Sequence, residues 1–267
     1  MNLTPHQELL NLQNKVAIVT GGSLGIGYGI SFRLAQAGAK VVIANRNLEE
    51  AQKAVAELTQ QGFTAQAVKT DVSQEEEVKN LVAQTINLCG GVDILVNNAG
   101  IYPFAPLADL KTELFEQIIN VNLKGVFYCI KYVSEQMIKQ AKGGKIINVT
   151  SIDAIHPSAV GLATYDASKH GVWGFTKNVA LELAKHQIWV NAVAPGGVMT
   201  PGVASAQAQG QLAPQVERNP EPTKMEVPMG RMGVPDDIGK VVLFLASDMS
   251  SYMTGSQIVV DGGYLLK

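Results

Sequence analysis

Short apolar runs rich in β-branched residues alternate along this chain with longer stretches in which apolar residues recur every three or four positions. The first run, 16–19, reads Val-Ala-Ile-Val, and the stretch 26–37 after it has helical spacing. Continuous apolar runs, as opposed to alternating ones, are typical of strands that are buried on both faces of a sheet. The runs predicted as strands are 16–19, 41–44, 65–69, 94–96, 145–149, 189–192 and 257–260.

Stretches with helical spacing connect these strands, including 48–61 and 74–88. This alternation predicts right-handed βαβ units and therefore a parallel sheet. We expect an α/β fold, a single doubly wound Rossmann-type domain whose seven-stranded parallel sheet is flanked by helices. We expect residues 14–267 to form that domain and residues 1–13 to precede it as an N-terminal extension.

The stretch 199–234 departs from the pattern because it is rich in Pro, Gly, Gln and Ala. A loop this long inside a compact domain is usually functional. We predict that it is a lid-like segment over the substrate. A plain surface insertion is the alternative interpretation.

Composition narrows the classes of partner. The formal net charge is -2, without the basic stripe that a nucleic-acid partner would require. There is no uninterrupted apolar run of about 18 residues that could span a membrane, and the N-terminus lacks the pattern of a signal peptide. We therefore expect a cytoplasmic protein with no nucleic-acid or membrane partner. Cys89 and Cys129 form no CxxC pair and the four histidines are scattered, so no metal site is predicted.

A glycine-rich loop follows the first predicted strand and precedes the first predicted helix. Residues 20–27 read Thr-Gly-Gly-Ser-Leu-Gly-Ile-Gly. Glycines allow a tight turn there and let main-chain N–H groups approach a pyrophosphate at the helix N-terminus. Three glycines are a weak signal alone, but their place between a strand and a helix predicts a dinucleotide site.

Tyr165 and Lys169 lie four residues apart on a predicted helix, so their side chains share one face. A phenol has a reference pKa of about 10 and exchanges protons poorly at neutral pH. A nearby ammonium favours the phenolate, so we expect Lys169 to lower the pKa of Tyr165. Tyr165 could then give a proton to a carbonyl oxygen or take one from an alcohol.

The glycine spacing is GxxxGxG and not the more common GxGxxG, and it occurs together with Asn-Asn-Ala-Gly at 97–100 and with the Tyr165–Lys169 pair. With these motifs the sequence resembles the short-chain dehydrogenase/reductase family from Lys15 to Gly263. The resemblance implies an NAD(P)(H)-dependent oxidoreductase that moves a hydride to or from an alcohol or carbonyl carbon. It also implies a homotetramer.

The resemblance further implies four catalytic residues, Asn122, Ser151, Tyr165 and Lys169. Ser151 matches the serine that orients the substrate, and Thr150 is the competing candidate. Relatives usually have a shorter spacing between this serine and the tyrosine, which indicates an inserted residue within 153–162. Asn122 matches an asparagine in a kinked helix that holds a water in a proton relay to the lysine, and Asn120 is the alternative.

The end of the second strand bears on the cofactor. An acidic residue there would bind the ribose 2′-hydroxyl of NAD and repel a 2′-phosphate. Here the position is neutral Asn45, and Arg46 could clamp a phosphate, so NADP(H) is favoured over NAD(H) unless Arg46 is only a solvated surface charge. Many NADP-using relatives carry a basic residue where Leu24 stands, so the preference is expected to be incomplete. The residues that the resemblance places at the nucleotide are Gly21, Ser23, Leu24, Gly25, Ile26, Gly27, Asn45, Arg46, Asp71, Val72, Asn98, Ala99, Gly100, Tyr165, Lys169, Pro195, Gly196, Val198 and Thr200.

The substrate is a small molecule whose predicted contacts are Ser151, Asp153, Tyr165 and Gly197. Asp153 could bond a sugar or polyol hydroxyl, or it could face solvent. A polyol, sugar or ketone is the favoured substrate. The alternatives are a 3-oxoacyl-thioester reductase and a non-enzymatic nucleotide-sensing protein. Loss of the tyrosine or lysine would indicate the nucleotide-sensing protein.

Overall fold

The computed structural model describes residues 4–5, 8–201 and 227–267. The strands are β1 (Val16–Thr20), β2 (Lys40–Asn45), β3 (Ala65–Lys69), β4 (Ile94–Asn97), β5 (Gly144–Val149), β6 (Ile188–Pro195) and β7 (Gln257–Val260). The helices are α1 (Gly25–Gln36), α2 (Leu48–Gln60), α3 (Glu75–Cys89), α4 (Thr112–Ile119), α5 (Gly125–Gln140), α6 (Ala163–Leu183) and α7 (Pro235–Ala246).

All seven strands run parallel in one sheet, in the order β3-β2-β1-β4-β5-β6-β7. The first strand pairs on one side with β2, beginning at Val16 opposite Lys40, and on the other side with β4, beginning at Ala17 opposite Ile94. The strand order reverses at β1, and ligands of such sheets bind in the crevice outside the carboxyl ends at this point. The predicted fold class is confirmed.

Helices cover both faces of the sheet. On one face α1, α2 and α7 form a cluster that includes Leu34, and on the other α3, α5 and α6 form a cluster that includes Leu81. Neighbouring residues of β1 enter opposite clusters, since Val19 belongs to the first and Ile18 to the second, and both are fully buried. This two-sided burial explains the continuous apolar runs, and each such side chain contributes about 1.5–3 kcal/mol when it leaves water.

The sixth strand is longer than the pattern predicts. The prediction covered 189–192, but β6 continues to Pro195, which lies opposite Val260 of β7. Alanine and proline have low strand propensity, so the sequence signal ends before the pairing does. The extension carries the chain to the carboxyl edge where the candidate site lies.

The N-terminal extension is partly integrated into the domain. Leu12 is 2% exposed and belongs to the core cluster that contains α1. Its N–H donates to the carbonyl oxygen of Ala37, 2.8 Å away, at the end of that helix.

Of the predicted lid-like segment 199–234, residues 202–226 lie outside the described residues. The flanking parts meet each other, because the N–H of Met199 donates to the carbonyl oxygen of Gly233 at 2.9 Å. In the described ranges no helix is long and apolar enough to cross a membrane.

Candidate active site

The glycine loop turns sharply at the carboxyl end of β1. Gly21 and Gly25 have φ angles of 62° and 54°, in the region that favours glycine. A Cβ built on Gly27 would lie 2.0 Å from the carbonyl oxygen of Gly21, so only glycine lets α1 approach the loop this closely. A Cβ on Gly25 would lie 3.2 Å from the side chain of Thr200, which places the turn after β6 beside the loop.

The end of β4 braces this loop. Asn98 Nδ2 donates to the carbonyl oxygens of Thr20 and Gly21 at 3.0 and 3.1 Å. Thr20 Oγ1 accepts the N–H groups of Asn98 and Ala99 at 3.0 and 3.1 Å. The sequence prediction omitted Thr20, although its position directly before the glycines was a usable signal.

The N-terminus of α1 carries no side-chain cap. Leu24 stands at the cap position without a side-chain hydrogen bond, and the first turn contains no acidic residue. At α2, in contrast, the side chain of Asn47 accepts the N–H groups of Glu49 and Glu50. Uncapped N–H groups and the positive end of the helix dipole suit an anion. The residues at α1 therefore fit a nucleotide pyrophosphate.

Asn45 links the end of β2 to two neighbours. Its Nδ2 donates to Ser23 Oγ of the glycine loop and to Glu50 Oε2 of α2, the latter at 3.3 Å. Arg46 is exposed. The contact with Glu50 was missed by sequence reasoning, because it spans the turn from a strand into a helix and follows no regular spacing.

Asp71 and Val72 follow β3 at the same edge of the sheet. Asp71 Oδ1 accepts hydrogen bonds from the N–H and Oγ of Ser73, at 2.9 and 2.7 Å, which fix its carboxylate. Val72 is 7% exposed, and a Cβ on Gly125 would lie 2.9 Å from its Cγ2. The turn after β3 is therefore held closely against the start of α5.

A π-helical turn, 120–124, joins α4 to α5 and directs Asn122 into the protein. Asn122 is fully buried, its Oδ1 accepts the N–H of Ile101 at 2.8 Å, and its Nδ2 donates to Ile101 O at 2.8 Å and to Ser168 Oγ at 3.2 Å. The side chain thus ties the loop after β4 to α6. Asn120, the alternative candidate, is half-buried. Ser168 was not predicted as a site residue, because its place in the site comes only from its hydrogen bond with Asn122.

Ser151 lies at the end of β5 and pairs with a buried carboxylate. Its Oγ donates to Asp153 Oδ2 at 2.6 Å and accepts the N–H of Asp153 at 3.2 Å. Asp153 is 7% exposed, and its other oxygen accepts the N–H of Ser158 at 3.0 Å. The rival Thr150 donates to the carbonyl oxygen of Val193 in β6 at 2.9 Å, so its hydroxyl is used within the sheet.

Lys169 is held behind Tyr165 on α6. Its Nζ lies 5.6 Å from the centre of the Tyr165 ring and donates to the carbonyl oxygen of Val149 at 2.8 Å. Burial lowers the pKa of Lys169 to about 8, and the negative charge of Asp153 opposes that decrease. A Cβ on Gly100 would lie 3.6 Å from Lys169 Nζ, so the loop after β4 lies against the ammonium group.

The Tyr165 hydroxyl keeps its proton in this structure. Burial raises its pKa well above the usual value, a hydrogen bond with Ser151 opposes the increase, and the charge of Asp153 adds to it. The expected net lowering of the Tyr165 pKa does not occur, because loss of hydration dominates. The phenol is therefore a proton donor at neutral pH.

Two neighbours of Tyr165 complete its surroundings. The Tyr102 ring, 43% exposed, lies edge-on with its centre 6.3 Å from that of Tyr165. Asp166 Oδ1 is buried without a hydrogen-bond partner in the described part of the chain, and burial raises the pKa of this carboxyl to about 6. Asp166 was missed, and its position next to Tyr165 was the only signal.

The turn after β6 lies against β7. A Cβ on Gly196 would lie 2.8 Å from the Cα of Asp261, and Gly197 O accepts the N–H of Gly233 at 2.9 Å. The turn contains four predicted nucleotide contacts, Pro195, Gly196, Val198 and Thr200. Across residues 4–5, 8–201 and 227–267, no group of three or more His, Cys, Asp or Glu side chains could hold a metal ion.

Known proteins resemble the chain over nearly its full length. A family model described as enoyl-(acyl carrier protein) reductase matches residues 21–265. A short chain dehydrogenase/reductase of Aspergillus oryzae is 41% identical, covering 99% of this chain and 100% of the relative. A 3-oxoacyl-(acyl-carrier-protein) reductase of Thermotoga maritima is 39% identical over 96% and 100%, and an L-rhamnose 1-dehydrogenase (NAD(P)(+)) of a Sphingomonas species is 37% identical over 94% and 96%.

Solved structures agree with these relatives. The crystal structure of a short-chain type dehydrogenase/reductase from Mycobacterium marinum has a TM-score of 0.88 and 35% identity, covering 98% of this chain and 99% of that one. The sequence similarity and the structural similarity therefore extend over the same part of the chain, which is nearly all of it. The chain belongs to the short-chain dehydrogenase/reductase family and is an NAD(P)-dependent oxidoreductase.

Proposed function

We propose that this enzyme interconverts a carbonyl compound and its secondary alcohol, with Tyr165 as the acid–base group. The observation that carries the proposal is that Tyr165 lies next to two other candidate groups: Lys169 Nζ is 5.6 Å from the centre of its ring, and the Ser151 hydroxyl is close enough to lower its pKa. A nicotinamide nucleotide, when bound, supplies or accepts the hydride. The glycine loop, the α1 N-terminus and the 195–200 turn would hold it.

Tyr165 donates its proton to the substrate oxygen during reduction and accepts it back during oxidation. The phenol is protonated at neutral pH and so has a proton to give, but its raised pKa makes it a weak acid. Lys169, with a pKa of about 8, is charged at neutral pH and stabilises the phenolate that proton donation leaves. Ser151 orients the substrate oxygen next to the phenol.

Asn122 supports this centre from inside the protein. Its amide groups are bonded to Ile101 and Ser168, so its side chain fixes the loop after β4 relative to α6. π-Helical turns frequently occur at functional sites. The proposal includes a proton relay to Lys169 through a water molecule held at this π-helical turn.

We propose that NADP(H) is favoured over NAD(H). Asn45 is neutral where an acid would repel a 2′-phosphate, and the exposed guanidinium of Arg46 follows it. The name of the Sphingomonas relative includes both NAD and NADP, which supports an incomplete preference.

For the substrate we propose a polyol, sugar or ketone. The polar rim of Ser151, Asp153 and Tyr102 and the L-rhamnose 1-dehydrogenase relative support this class. A 3-oxoacyl thioester is the second candidate, supported by the Thermotoga maritima relative and by the description of the family model. Retention of Tyr165 and Lys169 opposes a purely nucleotide-sensing role.

The proposal includes a homotetramer and a cytoplasmic location. Within residues 8–201 and 227–267 no strand pairs with the outer edge of β7, where Val259 is 41% exposed and nearby Tyr252 is fully exposed, and an open strand edge suits another copy of the chain. Cys89 and Cys129 are free thiols, which fits a reducing compartment.

The experiment follows the absorbance of NADPH and of NADH separately with ketones, sugars, polyols and 3-oxoacyl thioesters. We expect turnover with at least one sugar, polyol or ketone, and faster turnover with NADPH. Turnover of thioesters alone would select the second candidate. Absence of turnover with every compound, in folded protein that binds nucleotide, would refute the proposed reaction.

A further inference from the structure

Glu50 occupies a distinctive place in the first turn of α2. Its Oε2 lies 3.3 Å from Asn45 Nδ2, and its Oε1 accepts a hydrogen bond from Asn47 Nδ2 at 3.1 Å. Its main-chain N–H donates to Asn47 Oδ1 at 3.3 Å. These contacts hold the carboxylate beside the end of β2.

The charge of Glu50 is not neutralised by its partners. Asn45 and Asn47 are neutral amides, and none of the ion pairs within the described ranges includes Glu50 or Arg46. Arg46 and Glu50 are four residues apart, yet they form no ion pair. A full negative charge and a full positive charge therefore stand separately around the same strand end.

The end of β2 is where an acidic residue of a dinucleotide-binding fold bonds the adenosine ribose. Asn45 stands there, with its Nδ2 donating to Ser23 and to Glu50, and its side chain brings no negative charge to the ribose. Glu50, in contrast, has acceptor capacity left on both oxygens. The Glu50 carboxylate, which contacts Asn45, can therefore accept hydrogen bonds from the ribose as an acidic residue at position 45 would.

We propose that Glu50 is a cofactor-specificity residue that accepts hydrogen bonds from the adenosine ribose hydroxyls of NAD(H) and repels the 2′-phosphate of NADP(H). The inference rests on the proposed placement of the nucleotide along the glycine loop. Arg46 attracts the phosphate and Glu50 opposes it, so the preference for NADP(H) is small and the enzyme binds both nucleotides.

Glu49 provides a matched control. It precedes Glu50 in the same first turn, donates its own N–H to Asn47 Oδ1, and is exposed without a side-chain contact to Asn45. Glu49→Gln and Glu50→Gln remove the same charge and keep nearly the same shape. Only the second variant removes the charge that lies against Asn45.

The test measures the dissociation constants of NADPH and NADH by isothermal titration calorimetry for the wild type, E50Q and E49Q. We expect E50Q to bind NADPH about tenfold more tightly and NADH roughly threefold more weakly, because a nearby repulsion and a charged acceptor are both lost. E49Q should stay within about twofold of the wild type for both nucleotides.

An unchanged NADPH affinity in E50Q would overturn the role of Glu50. The same gain in E49Q would also overturn it, because the effect would then be a general one of net charge. Failure of the wild type to bind either nucleotide would instead refute the proposed function, which keeps the two failures distinguishable.

Discussion

The carboxyl edge of the sheet has two halves of different character. At the ends of β1 to β3, the candidate nucleotide contacts are glycines, main-chain N–H groups and partly exposed side chains such as Asn45 and Arg46. Around β4 to β6, three of the four candidate catalytic groups are buried, since Asn122, Ser151 and Lys169 are at most 6% exposed, and Tyr165 is half-buried. In the proposed function, one half binds the nucleotide mainly through its backbone, and the other acts through largely buried side chains.

This difference predicts where substitutions have large effects. Charges near the surface are screened by water and salt, so they tune affinity modestly. Buried polar groups change each other's pKa and determine proton transfer, so their loss affects the rate strongly. Four substitutions would sharpen or break the comparison.

The largest effect is expected for Tyr165→Phe. Removal of the proton donor should lower kcat by about 10²–10⁴-fold, while the dissociation constant of the nucleotide stays near that of the wild type. Tyr252→Phe, which alters a fully exposed tyrosine, is the control and should leave kcat unchanged. Steady-state kinetics with calorimetric binding would check this, and wild-type turnover in the Tyr165 variant would remove it from the reaction.

Gly27→Ala should disable the nucleotide half without touching the catalytic groups. Its Cβ would lie 2.0 Å from a main-chain oxygen of Gly21 and 2.6 Å from Asn98 Nδ2, so the loop must move. We expect nucleotide affinity to fall by about two orders of magnitude and the free energy of unfolding to fall by about 1–3 kcal/mol.

Gly174→Ala is the matched control for that loop substitution. Gly174 is an exposed glycine inside α6, and a Cβ there would meet nothing within 4 Å. It should keep nucleotide affinity and gain about 0.5–1 kcal/mol of stability in urea unfolding. Wild-type affinity in the Gly27 variant would show that the close approach is not needed for binding.

The pH dependence comes from the buried half. Lys169 has a pKa of about 8, so kcat/KM for the reduced nucleotide should fall as pH rises through about 8 and the ammonium loses its proton. Asp153→Asn removes a negative charge that raises the pKa of both Lys169 and Tyr165. The alkaline decrease should therefore move to lower pH in this variant.

Asp166→Asn is the control for that shift. Asp166 raises the pKa of Tyr165 but does not contribute to that of Lys169. Its pH profile should keep the wild-type alkaline limb. Superimposable profiles for the wild type and the Asp153 variant would contradict the electrostatic role of the buried carboxylate.

The smallest effect is expected at the exposed end of the nucleotide half. Arg46→Ala should weaken NADPH binding about tenfold and leave NADH within roughly twofold, because only NADPH carries the 2′-phosphate. The difference should shrink at high salt. Lys53→Ala, an exposed cation on α2, is the control in the same calorimetric titration, and equal losses for both nucleotides would refute a phosphate contact.

The sequence predicts the fold better than it predicts the electrostatics of the site. Strands such as 16–19 and 94–96 matched the structure because their apolar runs record burial directly. The raised pKa of Tyr165 could not be predicted, because it depends on how the rest of the fold surrounds the phenol.

Contacts across turns were also beyond prediction. Asn45 and Glu50 meet where a strand passes into a helix, and Asn122 and Ser168 meet between separate helices. Neither pair follows the periodicity of a single element. The glycine loop was easier, because Gly21 and Gly27 are required by backbone geometry that the residue type itself reveals.

The π-helical turn at 120–124 places a constraint on chain length and not only on residue identity. Such a turn holds one residue more than a regular helical turn, and that extra residue lets Asn122 face inward while α5 still packs on the sheet. Loss of one residue here would rotate α5 by about 100° relative to α4 and turn Val133 away from the core. Insertions and deletions should therefore be rarer in this helix than in the loops around it.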